Sequence, residues 1–195
     1  MHGKCAVESK YDGLRAQVHV DKKSKRVEIF SRRLERLTDM FPEIVKAALE
    51  ETKGDELIFE GEAISYDETT GQFRPFQETI QRKRKHEVEE KSEELPLHLF
   101  AFDLMYYNGE DYLDKPYIER RKKLEEVIKG TGTIRLADRI IATSAKEIDQ
   151  YFEDVVSNGL EGIVAKDLNA RYIAGARKFS WIKMKRSYKG ELTDT

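Results

Sequence analysis

Glu8-Ser9-Lys10-Tyr11-Asp12-Gly13-Leu14-Arg15 reads as a strand that ends in a lysine, passes through an Asp-Gly turn and resumes at an arginine. Working outward, β-branched, aromatic and alternating residues predict strands over Val7 to Lys10, Ala16 to Val20, Val27 to Phe30, Leu57 to Tyr66 and Leu97 to Tyr106. A helix is expected from Asp39 to Glu51, while the charged segment Arg82 to Glu94 has no clear assignment. Pro116 suits a first helical turn, and Tyr117, Arg121, Leu124 and Ile128 follow at helical spacing up to a stop at Gly130. Ser144 and Glu147 form a capping box before the apolar stripe Ile148, Tyr151, Phe152, Val155, which Asn158-Gly159 ends. Short strands follow at Gly162 to Lys166 and Ser180 to Lys185. Strands and helices do not alternate strictly. The expected class is therefore α+β, with antiparallel sheets flanked by helices rather than a doubly wound parallel sheet.

A chain of 195 residues with 39% apolar and 37% charged residues and four prolines is long enough for a core, fits one domain, and does not have the composition of a disordered segment. No apolar run approaches the roughly 20 residues that span a bilayer, and Met1-His2-Gly3-Lys4 lacks the apolar stretch of a signal peptide. An intracellular protein with no membrane partner is expected. The single cysteine, Cys5, excludes an intrachain disulfide and reads as core. With 35 basic against 37 acidic residues, the charge of -2 is not that of a chain that coats nucleic acid, so any contact with DNA must be local.

Taken singly, the chemistry-bearing segments have ordinary readings. Lys10 in its turn fits a solvated surface lysine. Phe59-Glu60-Gly61-Glu62-Ala63-Ile64 places two carboxylates on one strand face. Glu161-Gly162-Ile163-Val164-Ala165-Lys166 sets a carboxylate at a strand entry, and Trp181-Ile182-Lys183-Met184-Lys185 puts two lysines on one face, a pattern that usually just faces solvent. Phe102 in an apolar strand, like Trp181, fits the core.

In this order, with Phe102-Asp103 between them, the four segments resemble the covalent nucleotidyltransferases: DNA ligases, RNA ligases and messenger-RNA capping enzymes. Phe30-Ser31-Arg32-Arg33-Leu34-Glu35, Thr38, Phe41-Pro42-Glu43-Ile44 and Phe100-Ala101-Phe102-Asp103-Leu104-Met105-Tyr106-Tyr107-Asn108-Gly109-Glu110 look like the archaeal and eukaryotic ATP-dependent DNA ligases. The resemblance runs from Ala6 to about Tyr188 and implies the ATP-grasp-like fold of their adenylation domain. It makes Lys10 the nucleophile that attacks the nucleotide α-phosphate and becomes a lysyl-nucleotide. By the same resemblance Glu8 accepts from the adenine amino group, Phe102 stacks on the adenine, and Arg15, Arg32 and Glu62 engage ribose and phosphate. Lys166 and Arg177 match phosphate-contacting positions, with Lys178 an alternative to Arg177, and Ser9 joins the nucleotide-binding set.

An amine attacks only when unprotonated, so a nucleophilic lysine needs neighbouring positive charge or desolvation. Lys183, Lys185 and a magnesium ion are the expected sources, and the same charges would stabilise the α-phosphate and the departing pyrophosphate. Glu161 and Glu62 are the expected magnesium ligands. In the family reaction AMP then passes to the 5′-phosphate of nicked double-stranded DNA, and Arg32-Arg33-Arg36, Arg82-Lys83-Arg84-Lys85 and Lys183-Lys185-Arg186 are candidate phosphate contacts. Only nine residues precede Lys10 and ten follow Lys185, so the expectation is an excised adenylation domain, without the N-terminal DNA-binding domain and the C-terminal OB-fold domain, that does not seal nicks efficiently alone. Those domains, and a sliding clamp, are the expected partners; localisation would be cytoplasmic in a prokaryote and nuclear in a eukaryote. Competing readings are an RNA ligase or capping-type nucleotidyltransferase, which would share Lys10, and a catalytically silent DNA-binding module of the same fold.

Overall fold

A computed structural model describes residues 3–74, 77, 97–174 and 181–185, with the side chain of Trp181 left aside. Two sheets face each other. The smaller carries β1 (Cys5–Lys10), β9 (Arg139–Ala142), β10 (Gly162–Lys166) and β11 (Trp181–Lys185) in the order β11-β10-β1-β9, every pairing antiparallel. The larger carries β2 (Leu14–Asp21), β3 (Arg26–Phe30), β4 (Glu56–Asp67), β6 (Leu97–Tyr107) and β7 (Glu110–Asp111) in the order β3-β2-β4-β6-β7. Two short strands join it: β5 (Gln72–Phe73) pairs with β4, and β8 (Ile134–Leu136) pairs with β6. The β6–β8 pair is parallel, so the antiparallel expectation fails at this one short strand.

The helices fill the outer faces. The helix expected from Asp39 to Glu51 is instead a 3-10 turn, Thr38–Met40, followed by α1 (Pro42–Glu50). Pro42 explains the break: it lacks a backbone N–H, and it pushes Phe41 out of helical dihedrals to φ -130°, ψ 61°. α2 (Tyr117–Val127) starts after extended Pro116 and stops at Ile128, earlier than Gly130, because Ile128 turns extended and bridges to Thr52. α3 (Ala145–Ser157) is capped by the expected pair with one shift: Ser144 accepts from the Glu147 amide at 3.3 Å, while Glu147 accepts at 2.7 Å from the amide of Thr143, one residue before the N-cap. Its buried face is Tyr151, Phe152 and Val155; burying one such large side chain stabilises by about 2 kcal/mol.

Two apolar clusters result. One lies on the larger sheet beneath α1 and α2, from Val18, Ile29, Phe41 and Ile44 to Leu104 and Leu124. The other joins the smaller sheet to α3 through Val7, Tyr151, Phe152, Val155 and Ile163, and includes buried Cys5. Arg82 to Glu94 and Arg177 lie outside the described residues.

Candidate active site

β1 ends at Lys10, and the chain crosses to β2 through Tyr11-Asp12-Gly13. Glycine is required here by proximity, since a Cβ at Gly13 would lie 2.3 Å from the Ala63 carbonyl oxygen. That close approach brings the Gly13 amide to Glu62, which accepts its hydrogen bond. The β2–β4 register sets Arg15 opposite Glu62 and Gln17 opposite Glu60, so both carboxylates share the face that carries Arg15. A Cβ at Gly61, between them, would lie 2.7 Å from the Phe100 carbonyl oxygen.

Phe102 sits at an irregularity in β6. Glu60 pairs with Asp103 and Gly61 with Ala101, which makes Phe102 the extra residue of a β-bulge. The Arg15 guanidinium lies 5.5 Å and the Lys166 ammonium 4.7 Å from its ring centre. Asp103 is fully buried and binds Arg120, also fully buried, at 2.8 and 3.2 Å. Arg120 further donates to the Lys115 and Ala170 carbonyls at 2.6 and 2.9 Å, which ties β6, α2 and the loop after β10 together beside Phe102.

Glu8 and Lys10 occupy one face of β1 but differ in setting. Glu8 is 3% exposed; it pairs with Lys166 at 2.5 Å, accepts from the Tyr117 hydroxyl, and has Arg121 Nη1 at 3.7 Å. Burial, then the Glu8 charge, pushes the Tyr117 hydroxyl up, so it remains a donor. Lys10 donates to Glu161, and Lys185 donates to the other Glu161 oxygen. These side chains are 17%, 30% and 35% exposed, respectively for Lys10, Glu161 and Lys185. Burial opposes it, yet the hydrogen bonds from Lys10 and Lys185 hold the Glu161 carboxyl below the usual range.

Lys183 is pushed below the usual lysine range by burial and then by the charges of Lys10, Arg32, Lys185 and Arg15, each of which lies near enough to act on it. Glu62 shifts the other way: burial raises its carboxyl to about 7 despite Arg15, the Gly13 amide and Lys10. One cleft between the sheets therefore holds a lysine at a strand end, a cationic cluster, two carboxylates around that lysine and an aromatic ring. Such a set can receive a nucleotide and neutralise its phosphates.

A family model described as ATP dependent DNA ligase domain matches residues 1–185. The chain belongs to this ligase family. A probable DNA ligase of Dictyoglomus turgidum is 54% identical over 193 residues, covering 99% of this chain and 33% of the relative. A DNA ligase of Sulfophobococcus zilligii is 46% identical over 195 residues, covering 99% and 32%. This ligase-family chain thus spans about a third of the length of the curated relatives it matches. Among solved structures, mycobacterial DNA ligase D complexed with ATP and MES is 25% identical with a TM-score of 0.70, over 95% of this chain and 55% of that one. The ATP-dependent DNA ligase from bacteriophage T7 in complex with ATP, at 18% identity and a TM-score of 0.64 over 94% and 62%, is similar in fold.

Of the residues that ligase resemblance marks, the structure gathers Glu8, Lys10, Arg15, Arg32, Glu62, Phe102, Glu161, Lys166, Lys183 and Lys185 around this cleft. Ser9 is not among them. It points to the opposite face of β1, where its hydroxyl meets that of Tyr151 on α3 at 3.1 Å, because successive strand residues alternate faces. Arg36, grouped with Arg32 and Arg33 as a phosphate contact, is held instead by Glu28 at 2.8 Å and by Asp39 at 2.5 Å. Tyr117 and Arg121 entered only as residues at helical spacing, Arg121 also within the helical segment of the resemblance, and Tyr172 not at all; the fold places all three at the cleft.

Proposed function

We propose that this chain is the adenylation module of an ATP-dependent DNA ligase, with Lys10 as the nucleophile. The Lys10 nitrogen forms a bond to the α-phosphorus of ATP, the bond from that phosphorus to the β-bridging oxygen breaks, and pyrophosphate leaves with the electron pair. The observation that carries this reading is the placement of Lys10 at a strand end, on Glu161 and beside Lys183, Lys185 and Arg15, facing the Glu62 strand. Attack needs an uncharged amine, so Lys10 must first release its contact with Glu161 and give up a proton to solvent. Lys185 already shares Glu161 and would retain it when Lys10 departs.

Glu8 and Phe102 are assigned to the base end, and Lys166, expected at a phosphate, is assigned there too because its ammonium pairs with Glu8 and lies over Phe102; Arg15, Arg32 and Glu62 are assigned to ribose and phosphate, and Lys183 and Lys185 to the phosphates. Arg177 is kept as a phosphate ligand on the resemblance alone. The donor chemistry fits magnesium, since Glu161 and Glu62 bring hard carboxylate oxygens to the same lysine. Two carboxylates suffice for an ion that completes its shell with phosphates and waters. Bound there, magnesium would supply charge neutralisation at the phosphates. Transfer of AMP to the 5′-phosphate of nicked DNA and sealing by the 3′-hydroxyl are assigned to the complete ligase, with DNA-binding and OB-fold domains.

Incubation with α-labelled ATP or GTP tests the reading, with an OB-fold domain supplied in trans. Protein-bound label from ATP and not GTP, chased by nicked DNA rather than nicked RNA, is expected. Label from GTP would favour a capping-type enzyme, and no label under any condition would favour a silent module.

A further inference from the structure

We propose that Tyr172 is a positioning residue of the nucleotide cleft, setting Arg15 through Glu60; the proposal rests on the ATP-binding reading above. Tyr172 lies in the loop that leaves β10 of the smaller sheet, and its hydroxyl donates to Glu60 Oε1 of the larger sheet at 2.8 Å. The same oxygen accepts from Gln17 Nε2 at 3.2 Å, and the other Glu60 oxygen accepts from Arg15. Glu60 is thus a buried carboxylate with three donors, two from β2 and one from across the cleft. Arg15, held on one side by Glu60, lies over Phe102 on the other.

The hydroxyl is not needed to keep its loop in place. The Tyr172 amide donates to the Leu113 carbonyl at 3.0 Å, the Ile118 amide to Leu168 at 3.0 Å, and the Ala170 carbonyl accepts from the Tyr117 amide and Arg120, both at 2.9 Å. What the hydroxyl adds is a fixed donor on the carboxylate that orients Arg15. Burial, then the Glu60 charge, pushes the Tyr172 hydroxyl up, so it stays protonated and donating at neutral pH. Losing it leaves Oε1 held only by the longer bond from Gln17 in a buried site, so the carboxylate that orients Arg15 is less firmly fixed.

The test is equilibrium binding of labelled ATP to the 195-residue chain carrying Tyr172→Phe, Arg15→Met, or both, with thermal midpoints recorded for each. Tyr172→Phe should weaken ATP binding about tenfold, the scale of one hydrogen bond to a charged group, with its thermal midpoint lowered by only a few degrees. In the Arg15→Met background the same change should cost no more than about twofold, since residues acting as one unit are not additive. Glu60→Gln, which keeps acceptors for Tyr172 but weakens the hold on Arg15, should reproduce the Tyr172→Phe loss. Wild-type affinity in Tyr172→Phe, or an undiminished loss in the Arg15→Met background, would overturn the proposal. Failure of the unmodified chain to bind ATP would instead overturn the nucleotide reading beneath it, before any variant is compared.

Discussion

Glu8 and Lys10 stand two residues apart on one face of β1, yet one ends in a sealed network and the other at an open lip. Glu8 is enclosed by Lys166, Tyr117 and Arg121, whereas Lys10 and Lys185 share Glu161 where all three side chains keep part of their surface in water. Under the roles proposed for Glu8 and Lys10, the difference separates two tasks. A base-recognition group gains from being fixed in advance, because no reorganisation is then needed on binding. A nucleophile must change partners, from carboxylate to phosphorus, and an ion pair that water still reaches permits that exchange.

The largest stability effect is expected beside the sealed end. Arg120→Met leaves Asp103 buried without its partner and should destabilise the chain by about 3–5 kcal/mol, read by urea unfolding. The double variant Arg120→Met with Asp103→Leu should recover much of that loss; no recovery would mean that the links from Arg120 to the Lys115 and Ala170 carbonyls dominate instead.

Glu62 supplies a pH test between the two ends. Its folded carboxyl titrates at about 7, above its usual value, so its contribution to stability is present at low pH and fades as pH rises through 7. Glu62→Gln removes that cost. It should be more stable than the wild type at pH 8, by on the order of 1–2 kcal/mol for a carboxylate still partly reached by water, with the advantage shrinking towards pH 5. A stability difference that does not vary over this range would contradict the assigned burial.

The smallest stability effect belongs to the open lip. Lys185→Ala should change unfolding free energy by under about 1 kcal/mol, as for exposed ion pairs, while slowing lysyl-AMP formation by at least about tenfold, one charge-assisted contact on the phosphates. A stability loss as large as that of Arg120→Met would erase the distinction between the two ends.

Much of the open lip was legible in the sequence and much of the sealed end was not. Lys10, Glu62, Lys183 and Lys185 lie in short motifs on strands, where alternation alone predicts which side chains share a face, and Glu161 stands just before one. The β-bulge that singles out Phe102 breaks that alternation and leaves no mark in the residue types. Glu8 was visible as a motif residue, but its enclosure by Tyr117, on α2, and Lys166, on β10, is a long-range consequence of packing. Alternation also placed Ser9 away from Lys10, a conclusion that adjacency in the motif obscured. The short strands β5, β7, β8 and β9 escaped pattern reading because two to four residues carry too little periodicity.

The claim on which the rest depends is that Lys10 becomes covalently adenylated, and an intact-mass spectrum of the chain after incubation with ATP, magnesium and an OB-fold domain in trans measures it directly. The expected spectrum of the unmodified chain shows a gain of one adenylyl group that pyrophosphate reverses and that Lys10→Ala abolishes. An adenylyl gain that persists in Lys10→Ala would contradict the account.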